Sequence, residues 1–345
     1  MLVIEKSNFS LHNPSWKFTL GPETYETKDT PHRVEVIKKA LESDGGFRFT
    51  SAKRFPESNL AQIHPYHDFI KKTSQLARKT GEEVYPDLFP GEGARLERRM
   101  HPLWGGIWCT DAVTPIMGRT YEVARGSAEA AMTGATKLLE GTCREAYALC
   151  RPSGHHAGPR VFGGYCYFNN TATAAHLLAP HGTVAILDID YHHGNGTQEF
   201  FEERLDVFTC SIHGDPDREY PYFWGYRSEK GRGEGMGTNL NLPLALGAGD
   251  ETYLEALDSA LRAIRKFKPA YLLVGAGFDT HADDPIGGFA LKTEVYAEVG
   301  RRIAAIDAPV LLCQEGGYNV NVLGECVRQL LTGFGQARQR PGRKS

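Results

Sequence analysis

A recurring pair restricts the fold more than any other feature: a short apolar, β-branched run followed at once by a polar cluster. Such runs fall at residues 2–5, 145–149, 183–190, 207–212, 271–275 and 310–314. Stretches of helical periodicity lie between them, at 127–139, 170–178, 252–266 and 293–306. Apolar strands alternating with amphipathic helices predict a parallel sheet covered on both faces, a doubly wound α/β domain. In open sheets of that class, functional residues gather beyond the C-terminal strand ends. The polar clusters obey the rule. Run 145–149 leads into Arg151, His155 and His156, run 183–190 into His192 and His193, and run 207–212 into His213. Run 271–275 leads into Asp279, and run 310–314 into Glu315 and Tyr318. One rim is therefore expected to carry one site.

The 345-residue length would allow two domains, but an open α/β unit can run this long as one, and a single domain over 1–345 is expected. Residues 81–120 interrupt the rhythm with Pro, Gly and charge. They read as an ordered loop insertion packed through Tyr85, Leu88, Phe89, Trp104 and Trp108. The basic stretch 336–345 reads as a frayed tail. A net charge of −3 gives no reason to expect nucleic acid as partner. The seven cysteines are scattered with no C-x-x-C pair, which supports neither a disulfide framework nor a thiolate zinc site. No leader pattern or membrane-length apolar run is present, so the expected location is a reducing cytoplasm, away from membranes.

The stretch ILDIDYHHGNG, residues 186–196, places two carboxylates and two imidazoles at the end of an apolar strand. Strand side chains alternate faces, so Asp188, Asp190 and His192 project together, opposite Leu187, Ile189 and Tyr191. Two carboxylates on one buried face repel and carry a large desolvation cost. A bound cation removes both problems; the competing reading is a structural pair capping nearby helices. A catalytic zinc takes three protein ligands and one open position. Asp190 and His192 supply two, and Asp279 is the candidate third, ahead of Asp283 and Asp284 in the loop beside Pro285. His155 and His156, bracketed by Gly154 and Gly158, become candidate general base and acid on the same rim. His193 faces away from His192 and reads as structural. Tyr318, after two glycines, offers a phenol to a developing oxyanion. Metal, two imidazoles and a phenol describe metal-assisted hydrolysis of a carbonyl compound.

RPSGHHAGPRVFGGYCYFNN, ILDIDYHHGNGTQEFF, VGAGFDTHADDP and EGGYN resemble, in order and spacing, signature segments of the zinc-dependent histone deacetylases and their bacterial relatives. The resemblance covers about residues 1–334. SIHGDPDREYPYFWGY and the early insertion are most similar to the acetylpolyamine amidohydrolases of that superfamily. It implies the arginase–deacetylase fold, with a central, mostly parallel eight-stranded sheet and helices on both faces. It implies one catalytic zinc on Asp190, His192 and Asp279, with Fe(II) or Co(II) also acceptable to such donors. His156 becomes the base for the attacking water and the acid for the leaving amine. His155 becomes its electrostatic partner, and Tyr318 polarises the acetyl carbonyl. Asp188 is assigned to orienting His155 and, with Asp190, Ser211 and the backbone of His192 and Ile212, to a structural potassium ion. Tyr165 and Tyr220 would line a narrow substrate tunnel. The implied partners are a small acetylated amine and a second copy of the chain, paired through the 81–120 insertion.

Two positions depart from relatives. Asn195, the implied partner of His156, stands where histone-specific enzymes carry Asp, and an amide raises the histidine pKa less than a carboxylate does. Ile286 stands where a eukaryotic polyamine deacetylase has an acidic gatekeeper. A distal ammonium would then need another acid, with Glu82, Glu83, Asp87, Glu92 and Glu97 as candidates. Acetyl-lysine in proteins is the alternative substrate. A binuclear, arginase-like ureohydrolase using His281 for a second metal and a non-catalytic ligand sensor are the remaining readings.

Overall fold

The computed structural model describes residues 1–20, 23–86, 89 and 102–339. The chain begins β1 (Leu2–Glu5), β2 (Lys17–Leu20), β3 (Glu23–Glu26), α1 (His32–Asp44), β4 (Arg48–Ser51), α2 (Ser58–Ala61) and α3 (His67–Thr80). It continues through α4 (Thr120–Leu139), β5 (Glu145–Ala148), α5 (Asn170–Leu178), β6 (Val184–Asp188), α6 (Asn195–Phe201) and β7 (Val207–Gly214). The last elements are β8 (Asn239–Leu244), α7 (Asp250–Phe267), β9 (Tyr271–Ala276), α8 (Val295–Ile303), β10 (Val310–Gln314) and α9 (Leu323–Gln339).

Eight strands form one sheet in the order β4-β1-β5-β10-β9-β6-β7-β8, and every pairing is parallel. The expected "mostly parallel" sheet is thus parallel throughout, and the antiparallel pair β2–β3 stands apart from it. Parallel strands need crossovers, and the helices that supply them cover both faces. One face packs Leu187, Val274 and Leu312 against α1, α7, α8 and α9 through Leu41, Leu257, Val299 and Leu330. The other packs Ile186, Leu273 and Leu311 against α4 and α5 through Ala131, Ala135 and Ala175. Each fully buried Leu, Ile or Val on these faces contributes about 1.5–3 kcal/mol of transfer free energy.

Three boundaries differ from the periodicity. Strand hydrogen bonding expected to residue 190 ends at Asp188, although Ile189 N–H still donates to the Gly275 carbonyl at 2.9 Å. α4 begins at Thr120 rather than 127, because Arg125 breaks the apolar pattern yet is buried by pairing with Glu129 and Glu57. Residues 336–339, expected to fray, close α9, where Arg338 donates to the Ile306 and Ala308 carbonyls; 340–345 lie outside the described residues. Within the insertion, Val84 and Ile116 form an antiparallel bridge, and Cys109 pairs with Phe162. Trp108 packs on the cluster of Tyr66, Phe69 and Phe162. Leu88, Asp87, Glu92, Glu97 and the Trp104 side chain fall outside what is described. Among the described residues, no helix is long and apolar enough to cross a membrane.

Candidate active site

Four strands that are neighbours at the centre of the sheet, β5, β10, β9 and β6, deliver the candidate residues. The loop after β6 carries Asp190 and His192, and the loop after β9 carries Asp279. His192 Nδ1 lies 2.8 Å from Asp279 Oδ2 and 3.4 Å from Asp190 Oδ1. The three offer ligand atoms all within 4.8 Å of one another. Backbone bonds hold the set: His192 N–H donates to Asp190 Oδ1, Tyr191 N–H to Asp279 Oδ1, and Gly316 N–H to Asp190 Oδ2. Both carboxylates are fully buried, and among the described hydrogen bonds and ion pairs no lysine or arginine reaches either. Burial and the neighbouring Asp190 push Asp279 up from the usual carboxylate range. Burial resists ionisation of Asp190 too, but His155 and His192 pull it down. Two buried acids this close, with no lysine or arginine bonded to either among the described residues, fit a divalent cation, which would relieve the repulsion.

Asp188 lies one pleat deeper. Its Oδ2 faces His155 Nδ1 at 3.0 Å, and its Oδ1 accepts from Asp190 N–H at 3.1 Å. Ser211 stands opposite it in register on β7, and Ile212 follows in the same strand. His193 points elsewhere and packs its ring against His213, centroids 4.4 Å apart.

The two tandem histidines have opposite electrostatics. Burial disfavours a charge on His155, yet Asp190 and Asp188 outweigh it and carry the pKa up to about 10. Burial dominates at His156 and, with the cationic His155 beside it, holds its pKa well below the ordinary histidine value of 6.5. His156 Nδ1 lies 2.9 Å from Asn195 Oδ1, an oxygen that can only accept. The proton therefore sits on Nδ1 and the lone pair on Nε2. A cationic and a neutral imidazole side by side divide the tandem into two roles.

Tyr318 follows Gly316 and Gly317 after β10. Burial keeps its phenol protonated, against the pull of Arg33, whose guanidinium sits over the ring at 4.5 Å. Its ring meets Tyr165 edge-on at 5.7 Å, while Tyr220 stands edge-on to His156 at 4.8 Å. The two tyrosines expected to line a tunnel thus contact different catalytic candidates.

Sequence reasoning missed the supports behind this rim. Arg33 of α1 donates to the Gly317 and Glu315 carbonyls and is paired by Asp29, which also pairs Arg151. Asp284, set aside as a ligand, accepts from the N–H groups of Tyr318 and Asn319 and so orients that turn. Asp283 has a side chain 71% exposed and does not join the site. Glu315 accepts from the N–H groups of Gly154 and His155, tying β10 to the histidine loop. The acids of ADDP beside a proline were the available signal for Asp284; for Arg33 nothing local distinguished it from a surface helix residue. Both nitrogens of His281 are engaged, by Thr293 and by Asp283 N–H, and among the described residues it belongs to neither group of side chains close enough to share a metal.

The histone deacetylase domain matches residues 27–334, most of the chain. The protein belongs to the histone deacetylase family. Acetylpolyamine amidohydrolase from Mycoplana ramosa is 45% identical, covering 96% of this chain and 99% of its own. Acetylpolyamine amidohydrolase 1 from Pseudomonas aeruginosa is 40% identical, covering 90% and 92%. The crystal structure of acetylpolyamine aminohydrolase from Burkholderia pseudomallei superposes with a TM-score of 0.91 at 36% identity, covering 98% of this chain and 99% of that one. As a member of this family the chain is a hydrolase of amide bonds, and its sheet is the deacetylase fold.

Proposed function

We propose that this deacetylase removes acetyl groups from N-acetylated polyamines or related small amines, releasing acetate and the free amine. The observation that carries the reading is the neutral His156, with its Nε2 lone pair free, beside the buried Asp190–His192–Asp279 set. Asp190, His192 and Asp279 would hold one divalent cation, zinc in keeping with the family, though the donors also suit Fe(II) or Co(II). When bound, such a cation supplies Lewis-acid polarisation of the substrate carbonyl and acidifies water.

The chain's own groups do the rest. His156 Nε2 takes a proton from the attacking water, and Asn195 keeps the ring in the tautomer that allows it. His155, held positive by Asp188, favours negative charge developing nearby. The Tyr318 hydroxyl donates to the carbonyl oxygen as it gains charge. His156 then returns its proton to the departing amine. Asp188, Asp190, Ser211 and the carbonyls of His192 and Ile212 would hold a structural potassium ion. Tyr165 and Tyr220 would line the channel to the amide. The 81–120 insertion would pair the chain with a second copy. Seven free cysteines suit a reducing cytoplasm.

The deciding experiment compares turnover of N-acetylputrescine, N-acetylcadaverine, N-acetylspermidine and an acetyl-lysine peptide by purified enzyme. The expected order places the small amines first. Preference for the peptide overturns the substrate class, and activity that survives exhaustive chelation overturns the mechanism.

A further inference from the structure

One carboxylate near the site takes no part in the mechanism, yet it touches both walls of the proposed channel. Asp111 Oδ2 accepts from Gly164 N–H at 2.6 Å and from the Tyr220 hydroxyl at 3.1 Å. Its Oδ1 accepts from Val113 N–H and the Thr114 hydroxyl, both at 2.9 Å. The Thr114 oxygen in turn accepts from Tyr165 N–H at 3.0 Å. All four acceptor positions of the carboxylate are filled by its own chain. Asp111 is therefore built to hold shape, with no lone pair left to grip a ligand.

What it holds needs holding. Gly164 and Tyr165 are consecutive residues at φ 57° and 66°, and Tyr222 and Phe223 at 54° and 62°. Left-handed backbone at tyrosine and phenylalanine costs energy and persists where surrounding bonds over-determine it. The 163–166 turn is fastened through the Gly164 and Tyr165 amides. The 220–226 loop is fastened at Tyr220 and again where Gly225 and Tyr226 donate to Glu229. A Cβ on Gly164 would come within 2.4 Å of the His156 ring and 2.9 Å of the Tyr220 ring. The two walls and the catalytic base thus close on one another with no slack.

We propose that Asp111, with Thr114, is a positioning residue: a buckle that fastens the Tyr165 and Tyr220 walls together. It sets the aperture through which an N-acyl amine reaches His156 and confines the channel to slender, unbranched chains. This rests on the deacetylase reading above for the channel, while the buckle stands on its own contacts. It gives the end of the 81–120 insertion a role in substrate selection.

The test uses the full-length, metal-loaded enzyme and two readouts, steady-state kinetics and hydrogen–deuterium exchange. Tyr220→Phe keeps the ring and deletes one hydroxyl; Thr114→Val deletes the other without touching the channel rings. Each is expected to raise KM for N-acetylputrescine about three- to tenfold, the range that loss of one hydrogen bond supports. kcat should fall less than KM rises, and preference for N-acetylputrescine over N-isobutyrylputrescine should narrow. Amide exchange should quicken at 164–165 in Thr114→Val and at 222–226 in Tyr220→Phe. Adding Tyr220→Phe to Asp111→Ala should change little further, because Asp111→Ala already removes the contact that the Tyr220 hydroxyl makes. If Asp111→Ala does not fold, the two hydroxyl variants decide. Unaltered exchange and selectivity in both overturns the buckle, as does a fall in kcat at constant KM. Exchange does not depend on the substrate. A wild-type enzyme inert towards every N-acetyl amine would sink the functional reading, while faster exchange in the variants would still uphold the buckle.

Discussion

At the scale of single residues, the candidate site gives chemically identical groups different surroundings. His155 faces Asp188, and His156 faces the amide of Asn195. A carboxylate at 195 would favour the imidazolium and raise the His156 pKa. Below that pKa the proposed base is already protonated and idle, so Asn195→Asp should move the acid limb of the kcat/KM profile to higher pH. An unmoved limb removes His156 from the base role. Tyr318→Phe deletes the proposed oxyanion donor and should lower kcat about 100- to 1,000-fold, measured at saturating substrate. Near-full turnover would remove the phenol from the mechanism. These residue types were readable from the sequence because they are costly in a buried strand end without a function. Asp284, Glu315 and Arg33 were not, because their work is to bond backbone groups from distant segments. Arg33 reaches the Gly317 carbonyl across 284 positions of chain.

Among elements, the turn after β10 shows how closely backbone can approach a polar centre. A Cβ at Gly316 would lie 2.5 Å from Asp279 Oδ2 and 2.6 Å from Asp190 Oδ2. The methyl of Gly316→Ala, fixed to the backbone, must displace one of those carboxylates. Metal affinity should fall at least about tenfold, as for other disturbed ligand supports. Bound metal per chain, titrated against a competing chelator, checks it, and unchanged affinity would show the carboxylates free to move. Buried central strands were legible as apolar runs, whereas the two sheet edges were not. β4 is four residues with both ends exposed. β8 contains Pro243, which argues against a strand in sequence but is tolerated on an outermost one. α4 hid its first turns behind the buried ion pair of Arg125 and Glu129.

For the molecule as a whole, buried neutral histidines couple folding to pH. His64 is fully buried and accepts from Asn169 N–H through Nε2, a bond that protonation would break. Burial lowers its pKa from 6.5 to about 3, and His12, buried beside Arg151, is lowered likewise to about 3. A depressed folded-state pKa means that the unfolded chain binds the proton first. The stability these histidines contribute is complete above pH 6.5 and is lost progressively as pH falls towards about 3. Thermal midpoints should decline through that window before most carboxylates titrate, and His64→Gln should flatten the decline. An equal slope in the variant would remove His64 as a cause.

The sequence by itself determined the class of sheet, the rim that carries the site and the residue types on it, because strand and helix periods and local polarity are short-range properties. Only the tertiary structure decided that β5, β10, β9 and β6 lie side by side, so that His156, Tyr318, Asp279 and Asp190 meet. It also decided that Asp111 fastens Tyr165 and Tyr220, through contacts spanning 51 positions from Thr114 and 109 from Asp111. The reason is physical: strand order and long-range hydrogen bonds follow from how whole faces pack, and no window of adjacent residues contains that information.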